Sequence, residues 1–171
     1  TPPMAPLPRG ENRHMIKFSI LNQAVVRVTS PMDTLRLVEL YHLSNLRWIA
    51  DIKGEVVAFI LAMSERQAYP NDNYRWFSAR LKNFLYIDRV VVSAACPGLG
   101  IGRLLYSNLN DRAKRARILS ICGEIDSDPP NLASLQFHEK AGFIPIGSRL
   151  LANGKQVFMQ LHMLTESSSR V

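Results

Sequence analysis

Five residues past the middle of the chain, Gly98-Leu99-Gly100-Ile101-Gly102, constrain its fold more than any other feature. Before them runs Phe84 to Val92, β-branched and aromatic throughout and suited to a strand. After them, Gly100 to Arg117 places Ile101, Leu104, Leu105, Leu109 and Ala113 at helical spacing, which predicts a helix with one buried face. A strand, a glycine turn and a helix together make a device for anions. Glycine lets the backbone approach a ligand closely, and the unpaired N–H groups of the first helical turn, reinforced by the helix dipole, point at it. By spacing alone, the same glycines could equally do no more than turn the chain.

Two nucleotide-binding patterns are excluded here. A P-loop needs a Lys followed by Ser or Thr after its last glycine, and Gly102 is followed by Arg103-Leu104. A dinucleotide fingerprint reads GxGxxG after the first strand of its fold, whereas this loop reads GxGxG and comes late in the chain.

The 171 residues suit a single domain, and 47% apolar with 20% charged residues is the balance of a chain that folds on its own. Residues 1–14, with four prolines and no apolar periodicity, are read as a flexible extension or an expression remnant, 15–164 as the folded domain, and 165–171 as a C-terminal tail. A first strand is expected over Met15 to Leu21, and Ser30-Pro31-Met32-Asp33 carries a helix-start signal ahead of Leu37, Leu40 and Tyr41. Leu46 to Ile52 and Glu55 to Met63 read as a hairpin turned at Lys53-Gly54, with Val56 to Leu61 buried on both faces. Glu65 to Asn83, polar but rich in aromatics, reads as a long functional loop. Ile118 to Ile125 is another strand. Asn131 to Ala141 is a helix capped by Asn131 and stopped by Gly142, and a last hairpin turns at Asn153-Gly154. The order implies an α/β (α+β) fold, a mixed, mostly antiparallel central sheet of six to seven strands flanked by helices.

A net charge of +7 makes an anionic partner plausible, and the dense group Arg103, Arg112, Lys114, Arg115 and Arg117 follows the glycine loop. No apolar run is long enough to span a bilayer, and the two cysteines, Cys96 and Cys122, form no metal-binding pattern. The expectation is a cytoplasmic protein with no metal and no membrane or nucleic-acid partner.

Two segments together resemble the GNAT (Gcn5-related N-acetyltransferase) superfamily over most of Ile16 to Met163. Pro97-Gly98-Leu99-Gly100-Ile101-Gly102 is similar to the family's [Q/R]-x-x-G-x-G/A element, with Pro97 where Gln or Arg is usual. Asn131-Leu132-Ala133-Ser134-Leu135-Gln136-Phe137-His138-Glu139-Lys140-Ala141-Gly142-Phe143 is similar to N-x-x-A-x-x-[FL]-Y-x-x-x-G-F, with His138 in place of the tyrosine. The stretches Asn73 to Phe77, Tyr86 to Val92 and Pro129 to Asn131 look like those of predicted acetyltransferases of the family whose acceptor is unassigned.

The resemblance implies binding of acetyl-CoA, or coenzyme A, by Val90, Val91, Val92, Pro97, Gly98, Leu99, Gly100, Ile101, Gly102, Arg103, Asn131, Ser134, Phe137 and His138. The loop amides and Arg103 would hold the pyrophosphate, the edge of Val90 to Val92 would pair the pantetheine like a strand, and the basic end of the helix would face the nucleotide. It implies direct transfer of acetyl to a primary amine, carried by a small molecule or a peptide, with a base for the amine and an acid for the thiolate. Glu124 is the first candidate base, at a position resembling the glutamate of ribosomal-protein alanine acetyltransferases, though about two extra residues precede the asparagine. Asp88 is the rival, expected on the same face as Tyr86 and Val90. Either could equally be a structural partner of Arg89, Arg103 or a backbone amide. His138, near neutral pKa, could supply the thiolate's proton. Cys122 lacks an activating histidine and reads as a buried thiol. Tyr74, Arg75, Trp76 and Tyr86 are the candidate acceptor contacts, and the last hairpin could pair across a homodimer. A coenzyme A-binding module with little or no turnover is the alternative reading.

Overall fold

The structure, a computed structural model, describes residues 34–164. The expected strand over 15–21, the helix start at Ser30, the extension 1–14 and the tail 165–171 lie outside the described residues. In chain order the elements are α1 (Thr34–Leu43), β1 (Leu46–Ile52), β2 (Glu55–Ser64), α2 (Asp72–Ser78), β3 (Phe84–Val92), α3 (Ile101–Arg115), β4 (Ser120–Asp128), α4 (Leu132–Lys140), β5 (Ile144–Leu150) and β6 (Gln156–Met163).

The strands form one sheet in the order β1-β2-β3-β4-β6-β5, and every neighbouring pair is antiparallel except β3 and β4. The first hairpin turns where expected, with Lys53 and Gly54 at φ 53° and 84°, the paired left-handed residues of a tight turn. Two apolar layers clothe the sheet. On one face α1 and α2 bring Leu37, Leu40, Tyr74 and Phe77 onto Phe59, Phe84 and Tyr86. On the other, α3 brings Ile101, Leu105, Leu109 and Ala113 onto Ile60, Leu85 and Ile121. Strand β2 lies between both layers, so Val56 to Leu61 is an unbroken apolar run, as the sequence implied.

Three expectations are corrected. Glu65 to Asn83 is not one loop, because Asn71 caps a short helix by accepting from the Tyr74 amide, and Tyr74 and Phe77 are buried from it. On α3, Leu104 is 59% exposed while Tyr106 is buried at 3%. The i+4 row of Ile101, Leu105, Leu109 and Ala113 faces the sheet, which leaves Leu104 on the solvent flank and Tyr106 on the flank that meets α4. Finally, β3 carries a bulge at Asp88: Ile87 pairs with Ala62 and Arg89 with Leu61, so nothing opposes Asp88. The extra residue inverts the alternation beyond it. Val90 therefore packs on the α3 face and Val91 on the other, and Asp88 does not share a face with Val90.

The parallel pairing of β3 with β4 stops early. It joins Phe84, Leu85 and Tyr86 to Ser120, Ile121 and Cys122 and ends there, after which β3 continues against β2 and β4 against β6. At the branch point Gly123 sits so close to β3 that a Cβ there would meet the Ile87 carbonyl oxygen at 3.1 Å. Beyond it the sheet is forked, and the fork positions the site.

Candidate active site

Two adjoining hollows lie at the fork and beside it. One, of about 650 Å³, lies over the glycine loop and the start of α3 and is walled by Val92, Arg103, Tyr106 and Phe137. Its floor is main chain. Gly100 caps α3 at φ 67° without a side-chain cap, a conformation in which a side chain would be strained, and space around it is open. The Gly100 carbonyl accepts from the Leu104 amide at 3.0 Å, the first bond of the helix, so the N–H groups of Ile101, Gly102 and Arg103 precede the intrahelical ladder. No acid stands in the first turn, and Arg103 is exposed beside it. Bare amides, the positive end of a 15-residue helix and a guanidinium suit a diphosphate. Gly98, Gly100, Ile101, Gly102 and Pro97 all line this cleft, whereas Leu99 is exposed outside it.

From the cleft a free strand edge leads inward. Val90, Val91 and Val92 pair with Ile60, Phe59 and Ala58 of β2, and no strand among the described residues pairs their other edge. Phe137 reaches over from α4 to the helix start, within 3.3 Å of where a Gly102 Cβ would stand. A coenzyme A molecule fits these residues: amides and Arg103 for its pyrophosphate, and an unpaired edge for its pantetheine.

Of the basic group, Arg103 lines this cleft, while Arg112 and Arg115 stand apart from it. Arg112 stacks on Trp48 of β1, 4.6 Å from the ring centroid, and Arg112 and Arg115 line a separate hollow with Leu46 and Ile118. They stand at the far, negative end of α3, where cations complement the dipole.

The second hollow, of about 200 Å³, fills the fork. Its walls carry Asp88 and Arg89 from β3, Glu124 and Asp126 from β4, and Asn131, Ser134 and His138 from the region of α4. Tyr106 lines both hollows. Glu124 is held on one side by Tyr86, whose hydroxyl donates to its oxygens at 2.9 and 3.0 Å. Asn73, buried on α2, hydrogen-bonds it as well, and the Asn73 Oδ1 in turn accepts from Arg149 of β5. Burial outweighs these bonds and, with the nearby Asp88, pushes the Glu124 carboxyl up to about 7. Asp88 is raised by burial too, but the Tyr69 hydroxyl, Arg89 and Arg36 favour its charge, and Arg36 donates to that same Tyr69 oxygen at 3.1 Å. Asp126 is paired with Lys155 at 2.8 Å. Cys122 is buried in the core, and burial holds its thiol well above the usual range.

The structure thus brings Asp88, Glu124 and His138 together, and sets Asn131 as the cap of α4, its side chain accepting from the Ser134 amide at 3.1 Å. Tyr74, Arg75 and Trp76 lie elsewhere. The Tyr74 hydroxyl donates to the Ser64 carbonyl and accepts from the Gln67 amide, Arg75 is exposed, and Trp76 packs against Gly147 and under Arg80. Sequence reasoning missed Asn73, Arg149, Tyr69 and Tyr106. Asn73 carried a signal: four residues before Phe77 in a helix, it must share that residue's buried face.

Among the described residues no helix is long and apolar enough to cross a membrane, and no group of His, Cys, Asp and Glu could hold a metal ion. No curated protein matches the sequence. In fold the chain is similar to the ribosomal-protein-S18-alanine N-acetyltransferase from Escherichia coli, with TM-score 0.69 and 13% identity, covering 98% of this chain and 96% of that one. It is likewise similar to a ribosomal-protein-alanine N-acetyltransferase from Brucella melitensis (TM-score 0.64, 18% identity, 92% and 97% covered). A third similar structure is the NatC complex bound to Gag peptide and CoA (TM-score 0.68, 17% identity, 94% and 97% covered). The profile of the Acetyltransferase (GNAT) family matches residues 19–143. The chain therefore belongs to the acetyltransferase (GNAT) family, and it is an acyltransferase that uses acetyl-CoA.

Proposed function

We propose that this protein moves an acetyl group from acetyl-CoA to a primary amine by direct attack on the thioester, with Glu124 taking the proton from the amine. One observation carries the reading: the amide-lined cleft and the carboxylate-lined fork cavity adjoin, with Tyr106 walling both. A thioester held with its pyrophosphate on the loop amides would end where the fork opens.

An amine is a nucleophile only after losing a proton, and a base works best when its pKa lies near the working pH. Glu124, pushed up to about 7, meets that demand. Asp88 lines the same cavity but is committed to Tyr69, so it is the second candidate. Tyr86 acts here by holding Glu124. A small amine and a peptide N-terminus both suit such a cavity, and the ribosomal-protein and peptide-bound neighbours favour the peptide. Cytoplasmic residence accords with the free thiols of Cys96 and Cys122. A homodimer would use the edge strand β5, where Ile144 and Leu150 are 58% and 68% exposed.

The test is a panel of small amines, amino acids and short peptides incubated with protein and acetyl-CoA, read by thiol release and by mass of the acetylated product. At least one amine class should give stoichiometric thiol and amide. Tight binding of acetyl-CoA without product from any amine would leave a coenzyme A-binding module instead.

A further inference from the structure

His138 stands in the fork cavity with both ring nitrogens engaged. Its Nδ1 lies 2.8 Å from the Ser134 carbonyl oxygen and 3.3 Å from the Ser134 hydroxyl, and its Nε2 lies 2.6 Å from the Tyr106 hydroxyl. Phe137 and Phe143 pack around Tyr106, with ring centroids at 4.9 and 6.0 Å, so the pair sits in an aromatic pocket. A histidine so placed does not itself face the amide-lined cleft. Tyr106 does, since it lines both hollows while His138 lines only the fork.

Two charge states fit the same heavy atoms. With a neutral ring, Nδ1–H donates to the Ser134 carbonyl and Nε2 accepts the Tyr106 O–H. With an imidazolium, both N–H groups donate, one to Ser134 and one to the Tyr106 oxygen, and the phenol hydrogen is released toward another acceptor. No side chain has to move between the two states. The tyrosine hydroxyl then becomes a donor at the boundary between the cofactor cleft and the acceptor cavity, and it is recharged from behind.

We propose that Tyr106, coupled to His138, is the acid that protonates the departing thiolate, an inference that rests on the acetyl-transfer reading above. As the amine nitrogen bonds to the acetyl carbon, the C–S bond breaks and its electron pair goes to sulfur. The Tyr106 O–H proton passes to that sulfur, and the Nε2 proton of His138 passes to the phenol oxygen. The amine's N–H proton is taken by Glu124 and returns to His138 through water in the cavity that both groups line. Atoms and charge balance: one proton leaves nitrogen and one reaches sulfur. Burial holds the His138 ring below its usual range, so its cation gives up a proton readily. His138 is on this account a positioning and proton-supplying residue, and Tyr106 the one that meets the sulfur.

The deciding experiment needs no acceptor: titration of the thiol of bound coenzyme A, followed by thiolate absorbance in the ultraviolet, in the wild type and in Tyr106→Phe. A thiolate that accepts from the Tyr106 hydroxyl while its proton is kept on His138 Nε2 is favoured over the thiol, so loss of the hydroxyl should lower the thiolate fraction roughly tenfold at a given pH, with coenzyme A still bound. Turnover with an active amine should fall by roughly 100-fold, the usual scale of general acid catalysis. His138→Gln, which keeps the tyrosine, should slow turnover while changing the thiol titration less. If Tyr106→Phe does not fold, 3-fluorotyrosine at 106 replaces it, altering the acidity of the phenol at nearly constant size. A bound thiol whose ionisation ignores either change overturns the proposal. A thiol that responds in a protein acetylating no amine shows that Tyr106 meets the sulfur, while the transfer reading falls and the acid role falls with it.

Discussion

The two hollows that meet at Tyr106 are built in opposite ways. The donors of the cleft are main-chain N–H groups from one short run, Gly98 to Arg103, so local backbone geometry alone makes them available. The groups of the fork cavity are side chains from β3, β4 and the α4 region, held by further residues on α2 and β5. The first should tolerate changes to its surroundings and depend on φ at Gly100. The second should tolerate little, because each member's charge depends on what buries and bonds it. Donor binding and chemistry are thus expected to be separable by mutation.

The largest break in that comparison is Glu124→Gln. It keeps shape and leaves the amide cradle alone, so acetyl-CoA affinity should stay within about twofold, whereas kcat/KM should fall by roughly 100- to 10,000-fold, the range for removing a general base. Its companion is Asp88→Asn. If Glu124 is the base, the Asp88 variant loses less, and it keeps an activity rise with pH that the Glu124 variant lacks, moved to lower pH because the Asp88 charge that helps raise Glu124 is gone. Steady-state rates over pH 5 to 9 decide, and an equal loss in both variants would mean that the base is shared or is water.

The converse change is Gly100→Val. A β-branched residue at φ 67° is strained by roughly 1–2 kcal/mol, and its side chain would occupy the space above the amides. If the free loop relieves that strain by leaving the left-handed conformation, calorimetry should show acetyl-CoA binding roughly 5- to 30-fold weaker, with kcat at saturating donor close to wild type. A variant that binds normally but turns over slowly would contradict the division drawn here.

The same division explains what the sequence revealed. Local signals carried the hairpin turn at Lys53-Gly54, the Asn131 cap, the buried run of β2 and the glycine-loop cleft, because each depends on neighbours a few residues apart. The fork cavity was legible only as a set of candidates. Glu124, Asp88 and His138 were named, but not what holds them, because Asn73 reaches Glu124 from 51 positions earlier in the chain and Arg149 reaches Asn73 from 76 positions later. The bulge at Asp88 had no local mark in Tyr86-Ile87-Asp88-Arg89-Val90, so regular alternation placed Val90 on the wrong face. The expectation that Arg112 faces the nucleotide comes from the family resemblance together with charge. Its stacking partner Trp48 lies on a strand that only the sheet order brings under α3.

The smallest expected effect is on stability, and it tests the cavity without any ligand. The Glu124 carboxyl titrates at about 7 in the fold against 4.5 as its ordinary value, so between those pH values the native state holds a proton that the unfolded chain has released. Stability follows the difference in bound protons, and here the folded state binds more, so this group's contribution is complete below about pH 4.5 and is lost as pH rises through about 7. Glutamine has no such dependence. Urea denaturation at pH 5 and pH 8 should therefore show Glu124→Gln gaining on the wild type as pH rises, while the titrations of Asp88 and His138 occur in both proteins and largely cancel. A difference between the two proteins that stays constant, or shifts the other way, would mean that Glu124 is ionised at ordinary carboxylate pH, and a base so weak would pass the amine's proton back to Asp88 as the remaining candidate.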